Sequence, residues 1–567
     1  MTATQLPPAV VGSDRVDEPG NETASVFHPT HEVTNQVPPL SGFDPLACDP
    51  ALADALRAAD AEPELTALGT LARAAGSAEA REHGRLANEH PPVLRSHDRY
   101  GNRIDEVEFH PSWHWLMTRA VGAGLHGSPW EPDAGPHAHL TRAAGFYLWS
   151  QAEAGHSCPI SMTYAAVPAL RAAPELAAAY EPGLRSRVYD SGLRLPSAKA
   201  GLLAGMSMTE KQGGSDVRAN TTTAAPNADG SYTLVGHKWF TSAPMNDVFL
   251  TLAQAPGGLS CFLLPRVLPD GTRNNIRLQR LKDKLGNKSN ASAELEYTGA
   301  TGWLVGAEGR GVRTIIEMVS LTRLDCVLGS SATMRIALSE AAWHAAHRSA
   351  FGARLTDQPA MTAVLADLAL ETEAATALAM RLATAVDRKD DPAQAALLRI
   401  ALPASKYYVC KRAPMAVAEA LECLGGNGYV EESQLPRLYR EAPLSSIWEG
   451  SGNVTALDVL RAIGREPSTV DALLAELAGA AGTDPRYDAA LDTLRTELAD
   501  PEPARARRLA ELIALCLQAS VLLRQAPGEV ADAFLATRLG GQARNTFGVL
   551  PRGLDVRTLV DRVTPTR

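Results

Sequence analysis

Apolar and polar positions change their period twice along this chain. From about 50 to 200 apolar residues recur at helical spacing, which predicts helices over the alanine-rich 51–59 and 65–75 and over 113–121. Pro91-Pro92 and the Gly-Ser-Pro-Trp at 127–130 predict breaks between them. Beyond Gly205 the pattern shortens to alternation. Segments 231–242, 248–254, 259–266 and 293–298 predict strands, and Asn-Ala-Asp-Gly at 227–230 and Pro-Asp-Gly at 269–271 predict hairpin-type turns. Helical spacing returns near 310, over 312–349, 358–386, 391–422 and 434–463, lengths that suit a bundle. A last segment reads as helices over 470–480, 488–498, 503–524 and 530–539.

These changes predict an α+β multidomain chain. Residues 1–45, polar and without period, read as loose or draped over a neighbour. Residues 46–204 read as a helical N-terminal domain, 205–308 as a middle β domain, 309–466 as a helical bundle and 467–567 as a C-terminal helical domain. A net charge of −10 over 567 residues excludes a global basic field, so any polyanion contact needs a local patch. Seven scattered cysteines without Cys-x-x-Cys spacing argue against a disulfide framework or zinc knuckle and for a reducing interior. No signal-peptide pattern and no membrane-length apolar run are seen, so a soluble, cytoplasmic protein is expected. His110, His114, His137 and His139 lack compact ligand spacing, so no metal is expected. Lys282, Lys284 and Lys288 read as a solvated strand edge.

Two constellations carry chemistry. Residues 206–220 (Met-Ser-Met-Thr-Glu-Lys-Gln-Gly-Gly-Ser-Asp-Val-Arg-Ala-Asn) form a hydroxyl- and glycine-rich loop one hairpin away from the strand end Lys-Trp-Phe-Thr-Ser. Thr209 and Ser215 offer hydroxyls, and Gly213 and Gly214 suit an anion-cradling turn. Trp239 suits one face of a flat aromatic cofactor, and Thr241 or Ser242 its hydrogen-bonding edge. The pair points to a flavin. In the second, Ile447-Trp448-Glu449-Gly450-Ser451-Gly452-Asn453, a carboxylate sits between a Trp and glycines, where desolvation raises its pKa toward that of a general base.

On 206–220, 236–240, 280–292, 322–329, 424–429 and 437–453, the chain resembles the acyl-CoA dehydrogenase superfamily, over roughly residues 30 to 560. The Met-Thr-Glu-Lys-Gln-Gly-Gly-Ser-Asp and Leu-Lys-Asp-Lys-Leu-Gly-Asn stretches and the long tail mark its AidB-like branch. The resemblance implies a helical domain, a central β-barrel-like domain and a helical bundle, with FAD between them, in a homotetramer. It implies that Glu449 is the catalytic base and that Met206, Met208, Thr209, Gly214, Ser215, Trp239, Phe240, Thr241, Ser242, Ile447, Trp448, Gly450, Ser451 and Asn453 border the flavin. Arg348, Phe351 and Gln358 match residues that reach the dinucleotide across the subunit interface, and Gly425 and Gly426 match a turn beside it. A second base location in the superfamily falls at Thr322-Arg323, where this chain has no carboxylate.

The family's usual Thr and Gln are replaced by Ser451 and Asn453, and Glu422 stands where many members have Gln, which argues for at most modest acyl-CoA oxidation. The AidB-like branch implies protection against alkylating agents and a tail associated with double-stranded DNA. Arg505, Arg507, Arg508, Arg538, Arg544, Arg552, Arg557 and Arg562 are the candidate contacts. Two rival readings are a true short- or branched-chain acyl-CoA dehydrogenase with a structural tail, and a duplex-binding protein with a structural flavin.

Overall fold

The computed structural model describes residues 30–541 and 545–566. The chain divides into residues 1–36 and 37–567; the first unit is described only over 30–36, without helix or strand. Within segment 1–45, expected as loose or draped over a neighbour, the residues from 37 on pack on the main unit. Leu40 and Phe43 are buried in the main core, and the carbonyls of Pro38 and Leu40 accept bonds from Trp343 Nε1 (2.7 Å) and Arg81 Nη1 (2.8 Å).

Among the described residues seven α-helices occupy the N-terminal third, starting with Pro50–Ala58, whose first turn is closed by Asp49 accepting from the Leu52 amide. Ala138–Ser150 and Ser157–Leu170 are buried on nearly every face, so they form the centre of this layer. Sequence reading missed a β-hairpin here, Val93–His97 with Arg103–Glu108. It carries few apolar residues and so gives little alternation signal. Polar bonds dock it instead: Arg103 Nη2 donates to Leu278 O (2.7 Å) and Arg266 Nη2 to Asp105 O (3.0 Å), while Val107 joins the sheet's core. Residues 46–204 are thus not wholly helical.

The middle strands close a ring. Val248–Ala255 pairs with Gly258–Pro265, which pairs with Ser292–Val305, then Tyr232–Ser242, then Thr223–Pro226, which returns to Val248–Ala255. The predicted strands appear here within a few residues. The short strands Ala204–Ser207, Thr223–Pro226 and Ile276–Leu281 are additional. Both predicted turns form, with Gly230 and Gly271 at φ +84°.

The bundle is built from Gly311–His347, Pro359–Asp387 and Pro392–Cys423. The single helix expected over 434–463 is instead two, Leu435–Glu441 and Gly452–Arg465. Pro443 and left-handed backbone at Glu449 (φ +56°) and Gly450 (φ +103°) break it, and that break carries the candidate base. The tail helices Ser468–Ala478, Pro485–Ala499, Ala506–Gln525, Gly528–Phe534 and Val556–Val563 share one continuous core with the bundle.

Candidate functional site

Glu449 occupies a backbone conformation that side chains rarely adopt, at a cost of about 1–3 kcal/mol. The carbonyls of three successive residues hold it there. Lys406 Nζ donates to Trp448 O (2.7 Å) and to Gly450 O, and Arg323 Nε donates to Glu449 O (2.9 Å). Each charge-assisted bond contributes about 1.5–3 kcal/mol, so together they outweigh the strain. Arg323 is fixed in turn by Asp458 (2.7 Å), and Lys406 is buried in the bundle. The carboxyl group is bonded by Thr322, whose Oγ1 donates to Glu449 Oε2 at 2.7 Å. Burial raises the Glu449 pKa; the Thr322 bond and the charges of Lys406 and Arg323 partly oppose that rise. Trp448 packs against the core, and its buried Nε1 has no hydrogen-bond partner.

The second constellation is assembled around a buried ion pair. Glu210 and Lys238 meet at 2.9 Å, both fully enclosed. Burial opposes ionisation of Glu210, but bonds from Thr222, Thr221 and Lys238 outweigh it and hold the carboxyl well below the usual range. This pair ties the 206–215 loop to the neighbouring strand, as does the Trp239 amide donating to Thr209 O (2.8 Å). Thr209 packs onto Gly214 so closely that a Cβ there would lie 2.6 Å from Thr209 Oγ1. Met206 is buried, Met208 packs on the core, and Ser215 is exposed.

At the strand end, pairing with Ser292–Val305 slips between Lys238 and Thr241, which sets Trp239 and Phe240 out of the regular ladder. Phe240 is exposed, and Lys282 Nζ lies 3.3 Å from the Trp239 ring centre. The two hydroxyls then part. Thr241 is fully buried and bonded to Ser207, whereas half-buried Ser242 meets Ser292 Oγ at 3.2 Å. Cys158 connects the two constellations: its thiol lies beside Ser242 and within electrostatic reach of Glu449, and burial pushes it up to about 12.

Other candidates lie apart from these. Asn453 is exposed, and its Oδ1 accepts from Arg507 Nε (2.8 Å) of the tail helix Ala506–Gln525. Ser451 begins helix Gly452–Arg465, and Ile447 is exposed. Arg348 ends the long helix Gly311–His347. Phe351 follows in a two-residue hairpin at φ +53° with 99% exposure, and Gln358 Nε2 braces that hairpin through Ala350 O (3.0 Å). Gly425 and Gly426 are exposed, with open space where side chains would stand.

The tail arginines are largely committed within the chain. Arg505 and Arg508 pair with Glu497, Arg538 with Asp367 and Glu371, Arg557 with Asp357, and Arg562 with Glu373 and Asp54. Arg552 is exposed, and Arg544 lies outside the described residues. The histidines do not converge: His114 bonds Tyr189 and His139 bonds Tyr164. No described helix is long and apolar enough to cross a membrane.

The reading of Lys284 as a solvated edge is overturned. Its Nζ donates to Asn290 O and to Ser292 Oγ (3.2 Å), and burial pushes its pKa down to about 8. Its loop folds down on helix Leu435–Glu441, where a Cβ on Gly286 would lie 2.8 Å from the Glu441 amide. Glu441 is buried with neither carboxyl oxygen hydrogen-bonded, and burial raises it to about 7. The roles of Lys406 and Glu210 depend on partners tens of residues away, and those of Lys284 and Glu441 on burial, neither of which a local motif announces.

Residues 35–191 match the family described as adaptive response protein AidB N-terminal domain. Residues 205–300 and 309–464 match the acyl-CoA dehydrogenase middle and C-terminal domains. The chain is 48% identical to the putative acyl-CoA dehydrogenase AidB of Escherichia coli over 511 residues, covering 90% of this chain and 94% of that one. Among solved structures it resembles Caenorhabditis elegans ACDH-11 in complex with C11-CoA (28% identity, TM-score 0.80, 96% of each chain). It also shares its fold with an acyl-CoA dehydrogenase from Bacillus anthracis complexed with FAD (18% identity, TM-score 0.61, 80% and 83% covered). The chain therefore belongs to the acyl-CoA dehydrogenase family, in its AidB-like branch, and with that family to the FAD-dependent oxidoreductases acting on CH–CH groups.

Proposed function

We propose that this protein is an FAD-containing, acyl-CoA dehydrogenase-like flavoprotein in which Glu449 is the base, and that it acts in protection against alkylating agents. The observation that carries the reading is the Glu449 turn: a desolvated carboxyl held by Thr322 on a backbone pinned by Lys406 and Arg323. A carboxyl so placed takes the acidic proton next to a thioester carbonyl. FAD, when bound, supplies the acceptor for the hydride leaving the adjacent carbon.

The donor set present fits that cofactor. Thr209, Gly214 and Ser215 form the loop beside Trp239, whose ring suits one flavin face, with Phe240, Thr241 and Ser242 following it. Met206 and Met208 pack beneath the loop. On this reading the turn Ile447, Trp448, Gly450 and Ser451 would border the cofactor from the other side, and the orphaned Trp448 Nε1 is a donor awaiting an acceptor. Arg348, Phe351 and Gln358, with Gly425, Gly426 and Asn453, would hold the dinucleotide once further copies assemble into a homotetramer. The fully exposed Phe351 supports that assembly.

The test is reconstitution with FAD followed by anaerobic titration with a panel of acyl-CoA thioesters. Flavin absorption returns and at least one thioester bleaches it slowly; Glu449→Gln keeps the flavin and loses bleaching by about 10²–10⁴-fold. A protein that takes up no flavin sinks the reading. Salt-dependent duplex binding, measured alongside, tests the tail. Among the described candidate arginines only Arg507 and Arg552 have no carboxylate partner, so a shallow salt slope is expected.

A further inference from the structure

We infer that Lys284 is a positioning residue for the flavin: it fixes the direction of a hydrogen-bond chain through Ser292 that leaves the Ser242 hydroxyl proton aimed at the cofactor. The inference rests on the flavin reading above and extends it to a residue outside the cofactor's own contacts.

The chain has two links. Lys284 Nζ donates to Ser292 Oγ at 3.2 Å, and Ser292 Oγ lies 3.2 Å from Ser242 Oγ, its direct partner across the two strands. A hydroxyl–hydroxyl contact alone has no fixed direction, because either oxygen serves as donor. An ammonium group, with three donors and no acceptor, biases that choice: Ser292 Oγ keeps a second lone pair, but accepting from the cation polarises its own O–H and makes it the better donor of the two. Ser292 accepts from Lys284, so its own proton goes to Ser242. Ser242 accepts in turn, and its proton is left for a third group.

Where that proton points follows from its surroundings. Thr241 is fully buried with its hydroxyl paired to Ser207 inside the barrel, so of the two adjacent hydroxyls only half-buried Ser242 is open to a third partner. Ser242 lies beside the Cys158 thiol, which is in turn within electrostatic reach of Glu449. Sulfur is a weak acceptor, so a flavin carbonyl or ring nitrogen takes the proton in preference. Among the described residues no carboxylate stands within ion-pair distance of Lys284, and Asn290 O and Ser292 Oγ hold it in place. Its charge is therefore not cancelled at contact, and the carboxyl within electrostatic reach, Glu441, is one that burial holds toward its neutral form. A directed donor backed by a nearby cation favours the electron-rich reduced flavin over the oxidised form.

The test compares FAD uptake and midpoint potential in the full-length protein, Lys284→Met, Lys284→Arg and Ser292→Ala. All four are expected to bind FAD. Lys284→Met shifts the midpoint potential to a more negative value, Lys284→Arg stays close to the parent, and Ser292→Ala shifts in the same direction by less. A flavin-loaded Lys284→Met with the parent's potential overturns the inference and leaves the flavin reading intact. A parent that binds no flavin overturns both. If Lys284→Met fails to fold, Ser292→Ala decides: an unchanged potential there overturns the chain.

Discussion

Thr322 Oγ1 donates to Glu449 Oε2 at 2.7 Å, linking the long helix Gly311–His347 to the turn that interrupts the following helices. Thr322, at the position where the resemblance places an alternative base, is thus a hydroxyl bonded to the carboxyl proposed as base. Its bond favours the carboxylate and so works against the burial that raises the Glu449 pKa.

Removing that hydroxyl moves the pKa further up. For Thr322→Val we expect the acidic limb of the pH profile for flavin reduction to move to higher pH by about one unit, the equivalent of one charged hydrogen bond. Stopped-flow bleaching at a series of pH values measures it. A limb that stays in place would show that Thr322 does not touch the ionised form.

Lys238 and Glu210 are enclosed together at 2.9 Å. Lys238→Met leaves a carboxylate buried without its cation, which costs about 3–5 kcal/mol. The double variant Lys238→Met/Glu210→Gln removes the stranded charge and is expected to recover much of that loss. Urea unfolding of the three proteins checks this, and equal loss in single and double variants would count against it.

Glu441 has a folded-state pKa of about 7 against an ordinary 4.5, raised chiefly by burial. Between those values the folded protein holds a proton that the unfolded chain has released. Stability is therefore lost as pH rises from about 4.5 through 7, by on the order of 3 kcal/mol from this group. Glu441→Gln should flatten that part of the stability–pH curve and be more stable than the parent at pH 8. A curve of unchanged slope refutes the assignment.

Arg507 of the tail reaches Asn453 at 2.8 Å, at the start of the helix that follows the Glu449 turn. If Asn453 contacts FAD, Arg507→Ala weakens FAD binding, by less than about fivefold because both residues are accessible to solvent. Arg505→Ala, which loses only a surface pair with Glu497, leaves it unchanged. Flavin fluorescence on titration separates the two variants.

Local patterns were enough for the helix–sheet–helix succession, the strands of the ring, and the turns at Gly230 and Gly271, because burial on one face leaves its period in the residues themselves. The Glu449 motif was equally visible, being a Trp and glycines around one carboxylate in a continuous run. The hairpin Val93–His97/Arg103–Glu108 was not, since polar bonds to distant backbone rather than an apolar face hold it in place. The same limit applied to the break within 434–463, to Lys284 as a partly buried group, and to the pairing of tail arginines with Glu497, Asp367 and Glu373. What a charged side chain does depends on its partner and on its distance from water. Both are set only when the chain packs, by neighbours as near as Ser292 is to Lys284 or as far as Glu373 is from Arg562, so tertiary structure alone assigned those roles.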